Sequence, residues 1–417
     1  MSVVDQATDA DDIDFQDADD LAYFDPEVAA RELLNYAVDC AASDVFLIDE
    51  PSYVAVRLRR LGRIESVQRL SREAGRRLQN HFRAVGNADV TDQIKPTEGR
   101  DVVRLSDDRL IDIRISALPS IFGQDLALRL FGGDESIMNI DALGMLLGER
   151  RRVRDMLAAT SGLILVAGPT GSGKSNSLYA YLKYLRREDR KIHTIEEPIE
   201  HLMTGIVQSQ VNPRGGVDFA QLLAAILRHA PDVIMIGEIR DRQTAEIAVQ
   251  ASNSGHLVLS TVHARDSIGA IESMSAFGVN PVFLASSLLG VVAQRLVRRL
   301  CPRCRFAMDV SDTDDYLSDV RGQVPPSMSL SMYMPVGCEY CSGGYDRLTC
   351  IPEILQMTPS IAEKIHQGAA ILDVARCAAE NGMVPFKTAA QLRVAMGTTT
   401  IEEATRQLPP ERFGDST

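Results

Sequence analysis

Residues Gly168-Pro169-Thr170-Gly171-Ser172-Gly173-Lys174-Ser175 restrict what this chain can fold into more than any other stretch. They match G-x-x-x-x-G-K-[ST], and the flanks are those the pattern needs. The apolar run LILVA enters it, and Asn176–Leu185 leaves it with Leu178, Leu182 and Leu185 at helical spacing. Glycines let the backbone curl so that successive N–H groups converge on phosphate oxygens, and a following helix adds positive potential from its N-terminus. Strand, loop and helix in this order predict a phosphate-binding turn from Gly168 to Asn176. Lys174 is placed to reach the β- and γ-phosphates of a nucleotide, and the Ser175 hydroxyl to ligate Mg²⁺. The bland alternative, a glycine-rich turn without a ligand, does not account for the ordered strand–loop–helix context.

The surrounding pattern supports a parallel α/β sheet over residues 146–300, where buried apolar runs alternate with helical segments. The strand candidates are Leu163–Ala167, Ile192–Ile195, Val233–Ile236 and Leu257–Thr261. Open α/β sheets bind ligands at the carboxyl ends of their strands. Glu196 ends the run HTI and Glu238 follows Val233–Ile236, so both carboxylates are expected beside the phosphate turn, where they could position metal and the attacking water. Either alone could be a solvated strand-end carboxylate. His263 follows LVLST at a third strand end; it is expected to sense the terminal phosphate or to polarise a carboxylate.

Charge narrows the partners. The net charge is −13, and residues 1–30 contribute nine Asp and Glu27 with no Lys or Arg, leaving only −3 for the rest. A binder of nucleic acid usually carries a basic excess, and none exists here. The arginine clusters at 150–154 and 295–305 read as solvated faces or subunit contacts. The longest uncharged stretch, Ser273–Gln294, has 22 residues, but Gly278, Asn280 and Pro281 split it, leaving an apolar helix too short for a bilayer. The acidic start is no signal peptide, and seven cysteines in 417 residues are too few for a disulfide scaffold, so the cytosol is expected.

Two C-x-x-C pairs, Cys301/Cys304 and Cys338/Cys341, are separated by 33 residues. That spacing resembles a zinc ribbon with a long insert, and four thiolates make a closed tetrahedral site with no position for a reactive water. Four unrelated buried thiols are the alternative. Cys40, Cys350 and Cys377 have no partner by pattern and read as small core residues. The expected organisation is an acidic disordered tail (1–26), an α+β domain (27–132), a linker (133–145), the α/β domain (146–300), the tetracysteine segment (301–345), a helical part (346–408) and a disordered end (409–417).

Residues 30–408 resemble the secretion ATPases of type II secretion and type IV pilus assembly. The resemblance rests on GPTGSGKS followed by SLYA, then TIEEPIE, GEIRDRQTAEIA, GHLVLSTVHARD, QRLVRRLCPRC and GCEYC before GGY, all in family order. The first domain matches in AASDVFL, Arg60-Leu61-Gly62 and DIRISALPSIFGQDLALRL, and the end in GMVPFKTAAQLRVAMGTTTIEEA. This implies a RecA-like P-loop motor preceded by a PAS-like domain, a homo-hexameric ring, and arginines, here Arg114 and Arg129, that act on a neighbouring subunit's nucleotide. It also implies ATP and Mg²⁺ as nucleotide and metal, Zn²⁺ on the cysteines, and docking through an inner-membrane platform protein and its cytoplasmic adaptor. The sequence departs from the family's usual pattern at Glu197, Asn176, Ala224, Ala230, Ala264-Arg265, Phe46 and Ile48, while Lys174, Glu196, Arg228, Glu238 and His263 are kept.

The reading is therefore a cytosolic hexameric motor that hydrolyses ATP with Mg²⁺ and powers pseudopilus or pilus assembly. A pilus retraction motor is the near alternative, disfavoured by the tetracysteine segment. A nucleic-acid-driven RecA-like motor and a non-hydrolysing nucleotide switch are the distant ones.

Overall fold

The structure, a computed structural model, describes residues 25–87, 94–131, 138–212, 215–309, 317, 320 and 331–408. Residues 1–24 of the expected acidic tail, 133–137 of the expected linker, most of the insert between the cysteine pairs and the expected disordered end, 409–417, lie outside these. The chain divides into two compact units between Asp134 and Glu135.

The first unit is α+β. Its elements are α1 (Pro26–Asp39), β1 (Ala42–Asp49), β2 (Tyr53–Arg60), β3 (Arg63–Ser71), α2 (Arg72–Val85), β4 (Thr97–Arg104), β5 (Leu110–Ser120) and β6 (Gly123–Phe131). Local signals start both helices: the Asp25 side chain caps α1 with Pro26 in the first turn, and the Ser71 hydroxyl caps α2 through Ala74 N–H. The six strands form one antiparallel sheet in the order β3-β2-β1-β6-β5-β4. Side-chain alternation sends Val45, Leu47, Ile113, Ile115, Leu126 and Leu128 into a core shared with the helices. The intervening residues form the other face, where cross-strand register lines up Arg100, Arg114, Arg129, Asp44 and Arg59 in one row over five strands.

The second unit begins with α3 (Leu147–Leu157), β7 (Gly162–Ala167), α4 (Lys174–Leu185), β8 (Ile192–Glu196), β9 (Val207–Gln210) and α5 (Phe219–Ile226). It continues through β10 (Val233–Ile236), α6 (Arg242–Asn253), β11 (Leu257–Val262), α7 (Ser267–Ala276), α8 (Pro281–Ser287) and β12 (Leu288–Leu300). Then come β13 (Phe306–Asp309), β14 (Ser331–Met334), β15 (Tyr345–Gln356), α9 (Pro359–His366), α10 (Ile371–Glu380), α11 (Phe386–Ala395) and α12 (Ile401–Gln407). The seven-stranded sheet has the order β15-β12-β7-β11-β10-β8-β9, parallel throughout except for the β12–β15 pair. Its central strands are buried on both faces, which is why they read as unbroken apolar runs. Successive residues divide between two cores, Leu163, Leu165 and Ile234 on one face and Ile164, Val166 and Met235 on the other.

Two expectations are corrected. The apolar stretch Ser273–Gln294 is split at Gly278–Pro281 as expected, but the part after the split is not one helix: α8 ends at Ser287 and the rest is the first half of β12, a 13-residue strand that occupies the place beside β7. Short apolar runs do not distinguish a buried strand from a buried helix, and here the vacancy beside β7 decides. Nor is 346–408 helical throughout. It opens with β15, a strand of the same sheet, so the α/β domain does not end at Leu300. Pro352 is accommodated within β15 because that strand lies at the sheet edge, where a missing N–H leaves no ladder bond broken.

Candidate active site

The carboxyl ends of β7, β8, β10 and β11 bring the expected residues together. Between β7 and α4 the loop turns on Gly168, Gly171 and Gly173, at φ of 155°, 76° and 85°. At Gly168 the loop is also too close for any side chain: a Cβ would stand 2.3 Å from the Ser172 hydroxyl and 2.8 Å from the Gln294 carbonyl. Lys174 opens α4, and its ammonium donates to the carbonyls of Gly168 (2.9 Å) and Pro169 (3.1 Å). Burial holds that ammonium below the ordinary lysine pKa; Glu238 opposes the shift and Arg295 adds to it. The buried Ser172 hydroxyl has no partner among the described residues. A glycine-lined cradle with spare donors fits a triphosphate.

Glu238 and His263 meet because β10 and β11 are parallel neighbours, with Ile236 opposite Ser260. The loop after β10 is pinned by Ile239 N–H on the Thr261 carbonyl and by the Thr261 hydroxyl on the Gly237 carbonyl (2.7 Å). One Glu238 oxygen lies 2.9 Å from His263 Nε2 and the other 2.7 Å from the Arg240 guanidinium, which also approaches Glu197 at 3.6 Å. The hydrogen bond to Glu238 raises the Arg240 pKa.

Glu196 sits apart from that pair. It is buried at the end of β8, and its carboxylate accepts from the Tyr179 phenol, the Thr194 hydroxyl (2.6 Å) and the Gln208 amide (3.1 Å). Tyr179 also accepts from the N–H groups of Glu200 and His201, both 3.2 Å, so this residue of α4 holds the loop after β8. Burial, reinforced by Glu196, keeps the phenol well above its ordinary pKa and therefore a donor. In this conformation Glu196 has its acceptor positions engaged within the protein, whereas Glu238 faces Lys174 electrostatically.

Sequence reasoning gave Tyr179, Arg240 and Gln294 no role, and its reading of the 295–305 arginines as a solvated face or subunit contact is corrected for Arg295 and Arg298, which are buried on β12. Gln294 and Arg295 come from β12 and stand immediately beyond its pairing with β7. The Gln294 amide donates to the Ser172 carbonyl (2.8 Å) and accepts from the Ser177 hydroxyl (2.9 Å). The Arg295 guanidinium, its pKa lowered by burial, donates to the Arg265 carbonyl (2.6 Å) in the loop that carries His263. Tyr179 and the β12 pair do lie inside the stretches SLYA and QRLVRRLCPRC, the only signal available for them.

Arg114 and Arg129 belong to the first unit. They face each other across β5 and β6; Arg114 packs its guanidinium over the Phe131 ring (4.3 Å) and Arg129 bonds Asp44 (3.1 Å).

The four cysteines converge although a long insert separates the pairs. All four Sγ atoms lie within 4.8 Å of one another, with Cys301–Cys338 at 3.9 Å, Cys304–Cys341 at 3.8 Å and Cys338–Cys341 at 3.6 Å. Tetrahedral thiolates at a zinc–sulfur distance of about 2.3 Å would be about 3.8 Å apart, so the set fits that ion. Cys350 and Cys377 are buried as expected, while Cys40 is only partly covered.

Comparison with known proteins agrees with this arrangement. The family model for type II/IV secretion system proteins matches residues 18–406. The type II secretion system protein E of Dickeya dadantii is 38% identical over 395 residues, covering 94% of this chain and 78% of that protein. The type IV pilus assembly ATPase PilB of Pseudomonas aeruginosa is 34% identical over 380 residues, covering 90% and 66%. Among solved structures, the Legionella pneumophila ATPase DotB shares the fold with a TM-score of 0.67 at 19% identity, over 91% of this chain and 95% of that one. With the glycine cradle, the strand-end carboxylates and the tetracysteine cluster all inside the matched span, the chain belongs to the type II secretion and type IV pilus assembly ATPase family.

Proposed function

We propose that the chain works as a homo-hexameric, Mg²⁺-dependent ATPase that drives pseudopilus or pilus assembly from the cytoplasmic side of the inner membrane. It would be held there by a platform protein and its cytoplasmic adaptor rather than by a span of its own; among the described residues no helix is long and apolar enough to cross a membrane. The observation that carries the reading is the placement of Glu238 between His263 and Arg240 beside the Lys174 loop. The loop N–H groups and Lys174 bind the phosphates, and the Ser175 hydroxyl would hold Mg²⁺, which neutralises phosphate charge when bound. Glu238 orients the attacking water, with His263 fixing the carboxylate and standing where the terminal phosphate can be sensed. Glu196 shares the carboxylate work once its internal bonds exchange. Arg114 and Arg129 act across a subunit boundary, where an arginine stabilises developing phosphoryl charge. The cysteines hold one structural Zn²⁺.

Glu238→Gln tests the assignment in the purified full chain. The amide keeps the volume and removes the charge, so the variant should bind ATP and hydrolyse it about 10²–10³-fold more slowly. Normal turnover in Glu238→Gln, with Glu196→Gln inactive, would move the water-orienting role to Glu196.

A further inference from the structure

Gly171 and Gly173, both in the left-handed region, flank Ser172. The Ser172–Gly173 peptide has no Cβ on its Gly173 side, which lowers the steric resistance to its rotation, so a contact from outside the loop is needed to fix its plane. In a trans peptide the carbonyl and the next N–H point in opposite directions. The direction of the Ser172 carbonyl therefore sets the direction of the Gly173 N–H.

The only side-chain donor on that carbonyl among the described contacts is the Gln294 amide, at 2.8 Å. Gln294 is 1% exposed, and both ends of its amide are used: its oxygen accepts from Ser177, one turn into α4, at 2.9 Å. The amide thus spans Lys174, bonded to the loop on one side and to the helix on the other. Its own position is set by the β7–β12 pairing, which ends at Ala293 opposite Ala167.

We infer that Gln294 is a positioning residue for ATP: it holds the Ser172–Gly173 peptide so that the Gly173 N–H faces away from β12 and into the phosphate cradle, and it fixes the spacing of loop and helix around Lys174. The inference rests on the ATP reading of this loop. It concerns ground-state phosphate binding, so it touches affinity before it touches chemistry.

The test uses the full chain and a non-hydrolysable ATP analogue with Mg²⁺. Gln294→Met keeps length and volume and loses both hydrogen bonds; the analogue Kd and the KM for ATP should rise about tenfold, with kcat at saturating ATP within about threefold of wild type. Gln294→Glu keeps the acceptor for Ser177 but turns a carboxylate toward the Ser172 carbonyl, and it should weaken binding more than Met does. Ser177→Ala should raise Kd by a smaller factor, and adding it to Gln294→Met should do nothing further, because both remove the same bond. A purely structural role would lower the thermal midpoint and leave the KM-to-kcat split unmoved. The inference is overturned if Gln294→Met binds the analogue within about twofold of wild type, if kcat falls while KM stays, or if the double variant is additive. Should Gln294→Met fail to fold, wild-type affinity in Ser177→Ala overturns it alone. A wild-type chain that binds no analogue, or a Lys174→Ala variant that binds it normally, would sink the ATP reading instead.

Discussion

Glu353 offers the sharpest test of how the loop carrying His263 is held. It lies on β15, 2% exposed, and each of its oxygens serves a different helix. One accepts from the Ser267 N–H (2.9 Å) and hydroxyl (2.6 Å) at the start of α7, the other from the Phe386 N–H (3.0 Å) at the start of α11. A carboxylate at two helix N-termini satisfies donors that no intrahelical carbonyl can reach and complements both dipoles. Glu353→Gln, harmless at most surfaces, should be costly here, because an amide has one acceptor and one donor end. Whichever way it turns, an NH₂ group faces either the two Ser267 donors or the Phe386 N–H. Losing one charge-assisted bond and stranding a buried donor costs about 3 kcal/mol. For a unit of this size that lowers the thermal midpoint by about 5 °C. Ser267 follows His263 by four residues, so the released loop should also lower kcat while the KM for ATP holds. Calorimetry and steady-state ATPase assays on the same preparation read both. A Glu353→Gln protein as stable and active as wild type would refute the argument that these two helix ends depend on one carboxylate.

Arg114→Ala and Arg129→Ala should each leave ATP binding largely intact and lower hydrolysis, and mixing either with a Lys174→Ala chain should restore activity in mixed rings; no recovery would count against action across subunits. Removal of metal by a chelator, or Cys338→Ser, should lower stability and loosen the segment around the four cysteines while ATP binding persists in the folded fraction. Elemental analysis should give about one zinc per chain; finding none under reducing conditions would defeat the zinc assignment.

Legibility followed the range of the interactions. The strand Val233–Ile236 was readable residue for residue, since a run of four apolar residues is a local signal. The glycine turn after β7 and the meeting of the two cysteine pairs were readable because tight backbone curvature and clustered thiols each demand particular residues at fixed spacing. Glu238 and His263 were expected at strand ends, and parallel register brings them to 2.9 Å. What could not be read was the internal engagement of Glu196. The residues that bond it, Tyr179, Thr194 and Gln208, lie on a helix and two strands, and nothing in their spacing marks a shared partner. The arginine row on the first sheet was equally hidden, because it exists only in the register of five strands.

The strand misread as helix has the widest consequence. Within β12, Gln294 holds the phosphate loop, Arg295 the loop of His263, and Arg298 the buried Glu403 of α12 at 3.0 Å. The strand ends one residue before Cys301. From Gln294 to Cys301 is about 23 Å of extended chain, paired with β15 along its length. A strand held in a ladder does not absorb a displacement as a loop would; it passes it on. The glycine loop and the cysteine cluster, far apart in the chain, therefore adjoin the same strand, the loop through Gln294 and the cluster through Cys301, which follows its last residue. The same strand meets the end of the chain through Arg298 on Glu403 and the Leu300 N–H on the Thr398 carbonyl, so the last helices are fastened to the strand that adjoins the glycine loop.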